Sequence, residues 1–252
     1  MQRDNTDAFA AFNSDILLGT DPVRIVGMKL SATMTVVKLP NSELLVYSPV
    51  ALTPERRVAV ESLGTVTHLY APNTFHFMWL SEWTAAFPKA TVHAPRGLGN
   101  KRPDLRIDRF HDEELPAPLE SVLDEVHIEG FLLEESVLVH RPSGTLLVAD
   151  LVHNVGRPEH WWAALYTRAM GFYDRVAISR VLRWTAFRDP KAARRSLECL
   201  AALSFDALIV GHGAPLVHGA HQAVSDAYTW LPRERTLQLP GVTARPGRSF
   251  CG

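Results

Sequence analysis

The 252 residues, 46% of them hydrophobic, suffice for a sizeable core, and a formal net charge of −1 offers no basic or acidic excess to draw nucleic acid or an anionic membrane. No apolar run approaches the roughly 20 residues that a membrane span needs. "MQRDNTDAFAAFNSD" is polar and unlike a secretory leader, and Cys199 and Cys251 are not expected to pair, which together imply a reducing, cytoplasmic setting.

In chain order, β structure comes first. "VRIVGMKL", "TMTVVKL" and "ELLVYSP" are rich in branched and aliphatic residues, and "PNSE" at 40–43 reads as the turn between the last two. A helix starts at Thr53 as N-cap, with Pro54 at its first position and Glu55 in its first turn. Val58, Ala59 and Leu63 form its expected apolar face, and Gly64 ends it. "TVTHLYAP" is a buried strand, "HFMWLSEWTAAF" a helix stopped by Pro88, and "ATVHAP" a short strand. Residues 96 to 121 read as irregular connection.

β structure returns in "SVLDEVHIEG", "SVLVHRP" and "TLLVAD", with "RPSG" at 141–144 as a hairpin turn. Residues 153 to 188 are aromatic and arginine-rich and predict one or two helices. Asp189 and Pro190 then cap a helix with Ala193, Leu197, Leu200 and Ala201 on one face. "DALIV" is the last buried strand, followed by a helix from about Ala220 to Trp230. This order is β-rich, alternating, β-rich, alternating, with no flexible linker. It predicts an α/β chain folded as one domain over 1–252: a four-layer αββα sandwich of two mixed β-sheets flanked by helices.

Two buried runs end on side chains that can hold a metal. "LLVADLVHN" stops on Asp150, and "DALIVGHGAP" stops on His212 between two glycines. A carboxylate closing a buried run is costly unless it is paired or metal-bound, although Asp150 could instead cap the segment that follows. Glycine on both sides of His212 permits close backbone approach, as a crowded site needs. His153 lies three residues after Asp150 and reaches the same cavity if the chain turns there. His68, His93, His127 and His140 fall within strands and read as structural; His218 and His221 read as surface residues.

The element order and these strand-end motifs resemble the metallo-β-lactamase fold superfamily, over about residues 23 to 230. Within it, "APN..H...EW" together with "HRPS.TLLV.DL" is similar to a branch classed as a domain of unknown function. The superfamily's His-x-His-x-Asp-His motif follows a buried strand and opens a helix, and "APNTFHFMWLSEW" occupies that place. Its strand ending in Gly-Asp is similar to "LLVADL", and its strand ending in Gly-His to "LIVGHG". Laid on the first motif, Pro72 and Thr74 replace two histidines, His76 stands on the aspartate and Phe77 on the last histidine; the middle histidine falls near Phe131.

The resemblance therefore implies that the first metal site is missing. It implies a second site of His76, Asp150 and His212, with His153 as a further candidate, holding one divalent ion, Zn or Fe. Glu82, on the helix after His76, is the candidate for steadying a ligand from behind. Two histidines and a carboxylate leave positions open. On zinc they describe a hydrolytic site, and the ion brings the pKa of its water toward ~7. The same set also resembles the facial triad of non-haem iron enzymes.

Three readings follow: a mononuclear hydrolase acting on a small ester, lactone or amide; a catalytically silent ligand- or partner-binding protein; and an iron oxidoreductase. The aromatic segment 160–175 supplies Trp161, Trp162 and Tyr166, with Phe172 and Tyr173, as an expected wall for a small, largely apolar ligand, and Arg168 or Arg175 could hold one acidic group on it. Core packing and a homodimer contact are the alternatives for that segment.

Overall fold

The computed structural model describes residues 8–25, 27–158 and 160–232. The first half runs β1 (Ala10–Ala11), β2 (Ile16–Ile25), β3 (Met28–Lys38), β4 (Glu43–Tyr47), α1 (Pro54–Leu63), β5 (Thr65–Tyr70), α2 (Leu80–Ala86), β6 (Thr91–Ala94), α3 (Arg96–Lys101), β7 (Arg109–Phe110) and α4 (Ala117–Glu120). The second runs β8 (Leu123–His127), β9 (Ser136–His140), β10 (Thr145–Leu147), α5 (Trp161–Met170), α6 (Arg180–Thr185), α7 (Pro190–Ala202), β11 (Ala207–Ile209) and α8 (Ala220–Ala227).

Strands β1 to β7 form one sheet in chain order, antiparallel through β4 and parallel beyond it. The other sheet has the order β11-β10-β9-β8, with only β10 and β11 parallel. Both are mixed, as expected.

Side-chain alternation shows how the layers stack. On β4, Leu45 and Tyr47 join a core with Leu138, Leu147 and Ile209 of the other sheet. Leu44 and Val46 face the opposite way, onto Val60 of α1 and Leu80 and Trp83 of α2. In the second sheet Val137, Val139, Leu146 and Leu208 turn outward onto Leu197 and Leu200 of α7 and Val224 of α8. The layers are thus helix, sheet, sheet, helix. Because the central strands bury both faces, their sequences read as unbroken apolar runs rather than alternating ones.

Several elements depart from the sequence reading. "VRIVGMKL" is not one strand: β2 pairs with β3 in a hairpin whose turn includes Gly27 at φ 78°. Gly19, Asp21 and Pro22 disguise β2 as a loop. Pro22 is tolerated because β1 pairs only with Leu17 and Leu18, so beyond them β2 is an edge strand. On α1, Val58 is exposed, and Arg56 and Val60 are the buried residues. The helix expected over 76–87 begins only at Leu80, because the preceding turns are bent around Asn73. The connection 96–121 holds α3, β7 and α4. Ala201 lies on the exposed side of α7.

Cys199 is half-buried on α7, and Cys251 lies outside the described residues. No helix among the described residues is long and apolar enough to cross a membrane.

Candidate metal centre

Asp150 follows β10, His212 follows β11, and His76 lies in the turn after β5. Parallel pairing of β10 with β11, Leu147 opposite Ile209, brings the first two ends side by side. Ligand atoms of His76, Asp150 and His212 all lie within 4.8 Å of one another, the only such cluster of three among the described residues. His76 Nε2 is 3.3 Å from Asp150 Oδ2, and His212 Nε2 is 3.6 Å from Asp150 Oδ1. The two contacts fall on different oxygens of the one carboxylate, so both imidazoles face it from its two sides. The side chains keep only 10%, 13% and 12% of their surface, so the cluster is largely buried with a little surface left to solvent.

The remaining atom of each imidazole is already committed. His76 Nδ1 is 2.8 Å from Ser48 Oγ, and His212 Nδ1 donates to the Ser31 carbonyl at 2.9 Å. Both rings therefore turn Nε2 toward Asp150, with the outer contacts that orient metal-binding histidines. Ser48 is held at φ 54°, an unusual conformation for serine, by its place at the end of β4, where its N–H donates to Tyr70. Gly211 is required by close approach: a Cβ there would come within 2.7 Å of the Ala149 carbonyl and 2.8 Å of His76 Cε1.

Charge and burial act in opposition here. Burial works against a proton on His76, but Asp150 and Glu135 outweigh it and raise its pKa. On His212 burial prevails over the attraction of Asp150, and the pKa is lowered. Burial disfavours the charged form of Asp150, yet His76, His212 and His153 together hold its carboxyl well below the usual range. The donor set is thus a carboxylate and two imidazoles with inward-facing nitrogens, which fits a divalent transition ion.

His153 does not join the three. Its backbone pairs with Ala177, and its ring lies 6.0 Å from that of His212, with Phe172 edge-on at 6.2 Å. Its buried Nδ1 has no hydrogen-bond partner, and burial lowers its pKa to about 4. Glu82 is not behind a ligand: its hydrogen bond is with the Leu52 N–H, at 3.2 Å.

That supporting place is taken by residues the sequence reading passed over. Asn73 Nδ2 donates to Asp150 Oδ2 and to Glu135 Oε2, both at 3.0 Å, while its Oδ1 accepts from the N–H groups of Phe75 and His76. The available signals were an asparagine just past a buried strand in "YAPN" and an acidic residue flush against the buried run "ESVLVH".

The residues that the resemblance lays on the superfamily's other ligand positions are engaged in packing and backbone pairing. Phe131 stacks on Phe187 at 4.8 Å, and Phe77 packs on the first sheet's outer core beneath the cations of Lys101 and Arg102. The Pro72 carbonyl accepts from Ser136, and Thr74 pairs its N–H with Leu133.

The aromatic segment divides. Trp161 is 79% exposed, so it packs against neither core nor cluster. Trp162 and Tyr166 pack with Met28, Ala163, Phe172 and Ala177, joining α5 to the start of β3. Phe172 links this group to His153, and Tyr166 meets Phe172 edge-on at 6.2 Å. Arg175 donates to the Gly171 carbonyl and Arg168 lies over Tyr173, so both guanidinium groups have partners within the segment.

No protein-family model matches the sequence, and no curated protein does. Solved structures do. A metallo-β-lactamase from Pontibacter korlensis superposes with a TM-score of 0.63 at 11% identity, covering 88% of this chain and 97% of that one. DIM-1 metallo-β-lactamase exposed to ceftazidime gives 0.58 at 12%, over 87% and 95% of the two chains. VMB-1 gives 0.61 at 9%, over 87% and 94%. At these identities the likeness establishes architecture alone: the chain has the metallo-β-lactamase fold.

Proposed function

We propose that this chain binds one divalent metal ion through His76, Asp150 and His212 and uses it to hydrolyse a small, largely apolar ester, lactone or amide. The observation that carries the reading is the convergence of two Nε2 atoms on one carboxylate while the Nδ1 atoms are engaged elsewhere. An ion there would supply Lewis acidity. The chain's own residues hold and orient the donors. Phe172 packs edge-on against the half-buried His153, so the surroundings of the cluster on this side are apolar. Apolar surroundings favour a largely apolar ligand.

The first test is elemental analysis of protein reconstituted with Zn²⁺ or Fe²⁺ and dialysed. About one ion per chain is expected, and Asp150→Ala should lose it. Failure of both metals to remain would remove the proposal. An esterase and lactonase panel on loaded and metal-free protein then tests the chemistry; equal rates in the two forms would argue against it. A second reading, a silent binding protein of the same fold, draws on Phe131 and Phe77 at positions where a second ion would need ligands. Tight metal binding with no turnover across the panel would favour it.

A further inference from the structure

We infer that Glu135 is a positioning residue for the centre: it fixes the two turns that carry His76 and Asp150, and so sets the ion's affinity and coordination geometry without touching the ion. The inference rests on the metal-binding reading above. Glu135 immediately precedes β9 and is completely buried. Its Oε1 accepts from the N–H groups of Ala149 at 2.8 Å and Leu151 at 3.1 Å, and its Oε2 from Asp150 at 2.9 Å. Three consecutive backbone donors around a ligand thus converge on one carboxylate just past the end of β10.

The fourth donor is Asn73 Nδ2, which also reaches Asp150 Oδ2. Asn73 in turn fixes the His76 turn by accepting its N–H at 2.9 Å. From Glu135, one chain of hydrogen bonds therefore runs to the backbone of one ligand and, through Asn73, to the backbone of another. The two turns are distant in sequence, and this bridge and the ligand side chains join them. A ligand pair held this way presents its donors at a fixed separation before the ion arrives, which is how outer contacts raise metal affinity.

Two variants separate this role from a contribution to folding. Glu135→Gln keeps the side chain's size but sets an amide NH₂ against N–H donors. Asn73→Ala leaves the three backbone bonds of Glu135 intact and removes the bridge, together with the bond to Asp150 Oδ2 and the turn that accepts the Phe75 and His76 N–H groups. Each is compared with the wild type by Co²⁺ titration, following visible absorption, at a temperature well below the melting point of the metal-free protein. The expected result is Co²⁺ affinity weakened about 10–100-fold in each folded variant, with altered band positions. If Glu135→Gln does not fold, Glu135→Asp, which keeps the carboxylate but withdraws it from the Ala149, Asp150 and Leu151 N–H groups, decides by the same two readouts. Folded variants that melt earlier yet bind Co²⁺ with wild-type affinity and spectrum would overturn the inference and leave the metal reading standing. A wild type that binds no Co²⁺ would remove both, and that failure is seen in the parent protein rather than in its variants.

Discussion

At the scale of single residues, the centre depends on groups that do not themselves hold the ion. Gly211 is the sharpest case. Its missing Cβ is the space into which His76 Cε1 and the Ala149 carbonyl fit. Gly211→Ala should force one of them aside, costing about 1–3 kcal/mol as overpacking does, and should weaken metal binding more than the stability loss alone explains. Urea unfolding of the metal-free protein beside a Zn²⁺ competition titration measures the two effects; a stable variant with unchanged affinity would refute the fit. Ser48→Ala frees His76 Nδ1, and loss of such an outer contact typically costs about 10–100-fold in metal affinity. Asp150 and His212 were legible in the sequence because each closes a buried run, where a polar side chain needs a reason. His76 was legible only through family resemblance. Asn73, Ser48 and Glu135 were not legible, since what they bond to comes from distant segments that the fold alone brings near.

At the scale of elements, the helix ends were the most readable features. Thr53 accepts from the Arg56 N–H, and Asp189 accepts from the N–H groups of Lys191 and Ala192, as their positions before proline suggested. Asp189→Ala should therefore cost about 1 kcal/mol through loss of the α7 cap, read as a lower urea midpoint with an unchanged slope. The β2–β3 hairpin was misread because Gly19, Asp21 and Pro22 look like breakers. Asp21 is there for a tertiary reason: it takes a paired contact from the buried Arg56 of α1, at 2.7 and 2.9 Å, and also accepts the Ala51 N–H. This ties α1 to the hairpin whose other strand supplies the Ser31 carbonyl to His212. Asp21→Ala strands a buried guanidinium and should cost about 3–5 kcal/mol. Stability within 1 kcal/mol of wild type would mean that water replaces the carboxylate at little cost.

At the scale of the whole molecule, the sandwich was foreseeable from the order of β-rich and alternating segments, but the polar contents of its interior were not. Tyr70 of β5 donates to Glu125 of β8, and Arg109 of β7 reaches the same carboxylate, joining the two sheets. His68 and His93 pair at 3.0 Å beside them. His111 stacks on Tyr70 at 4.6 Å with neither ring nitrogen hydrogen-bonded. Burial, aided by the Arg109 charge, lowers His68 to about 4; burial drives His93 and His111 well below their usual value, with neighbouring histidines and Arg109 adding to it. Unfolded, each would titrate near ~6.5, so below that pH the unfolded chain binds more protons and stability falls. The part due to His68 is lost progressively as pH drops from ~6.5 toward about 4. His111→Phe keeps the stack and removes one such group; melting curves between pH 7 and 5 should show less acid sensitivity, at a cost under about 1.5 kcal/mol at neutral pH. Equal acid sensitivity would exclude His111 as a source. The central claim concerns the metal, and anomalous diffraction from crystals of the Zn²⁺-loaded protein tests it most directly. One peak is expected, about 2.0–2.2 Å from His76 Nε2, His212 Nε2 and an Asp150 oxygen. No peak at these residues, or a second fully occupied one beside the first, would contradict a mononuclear centre.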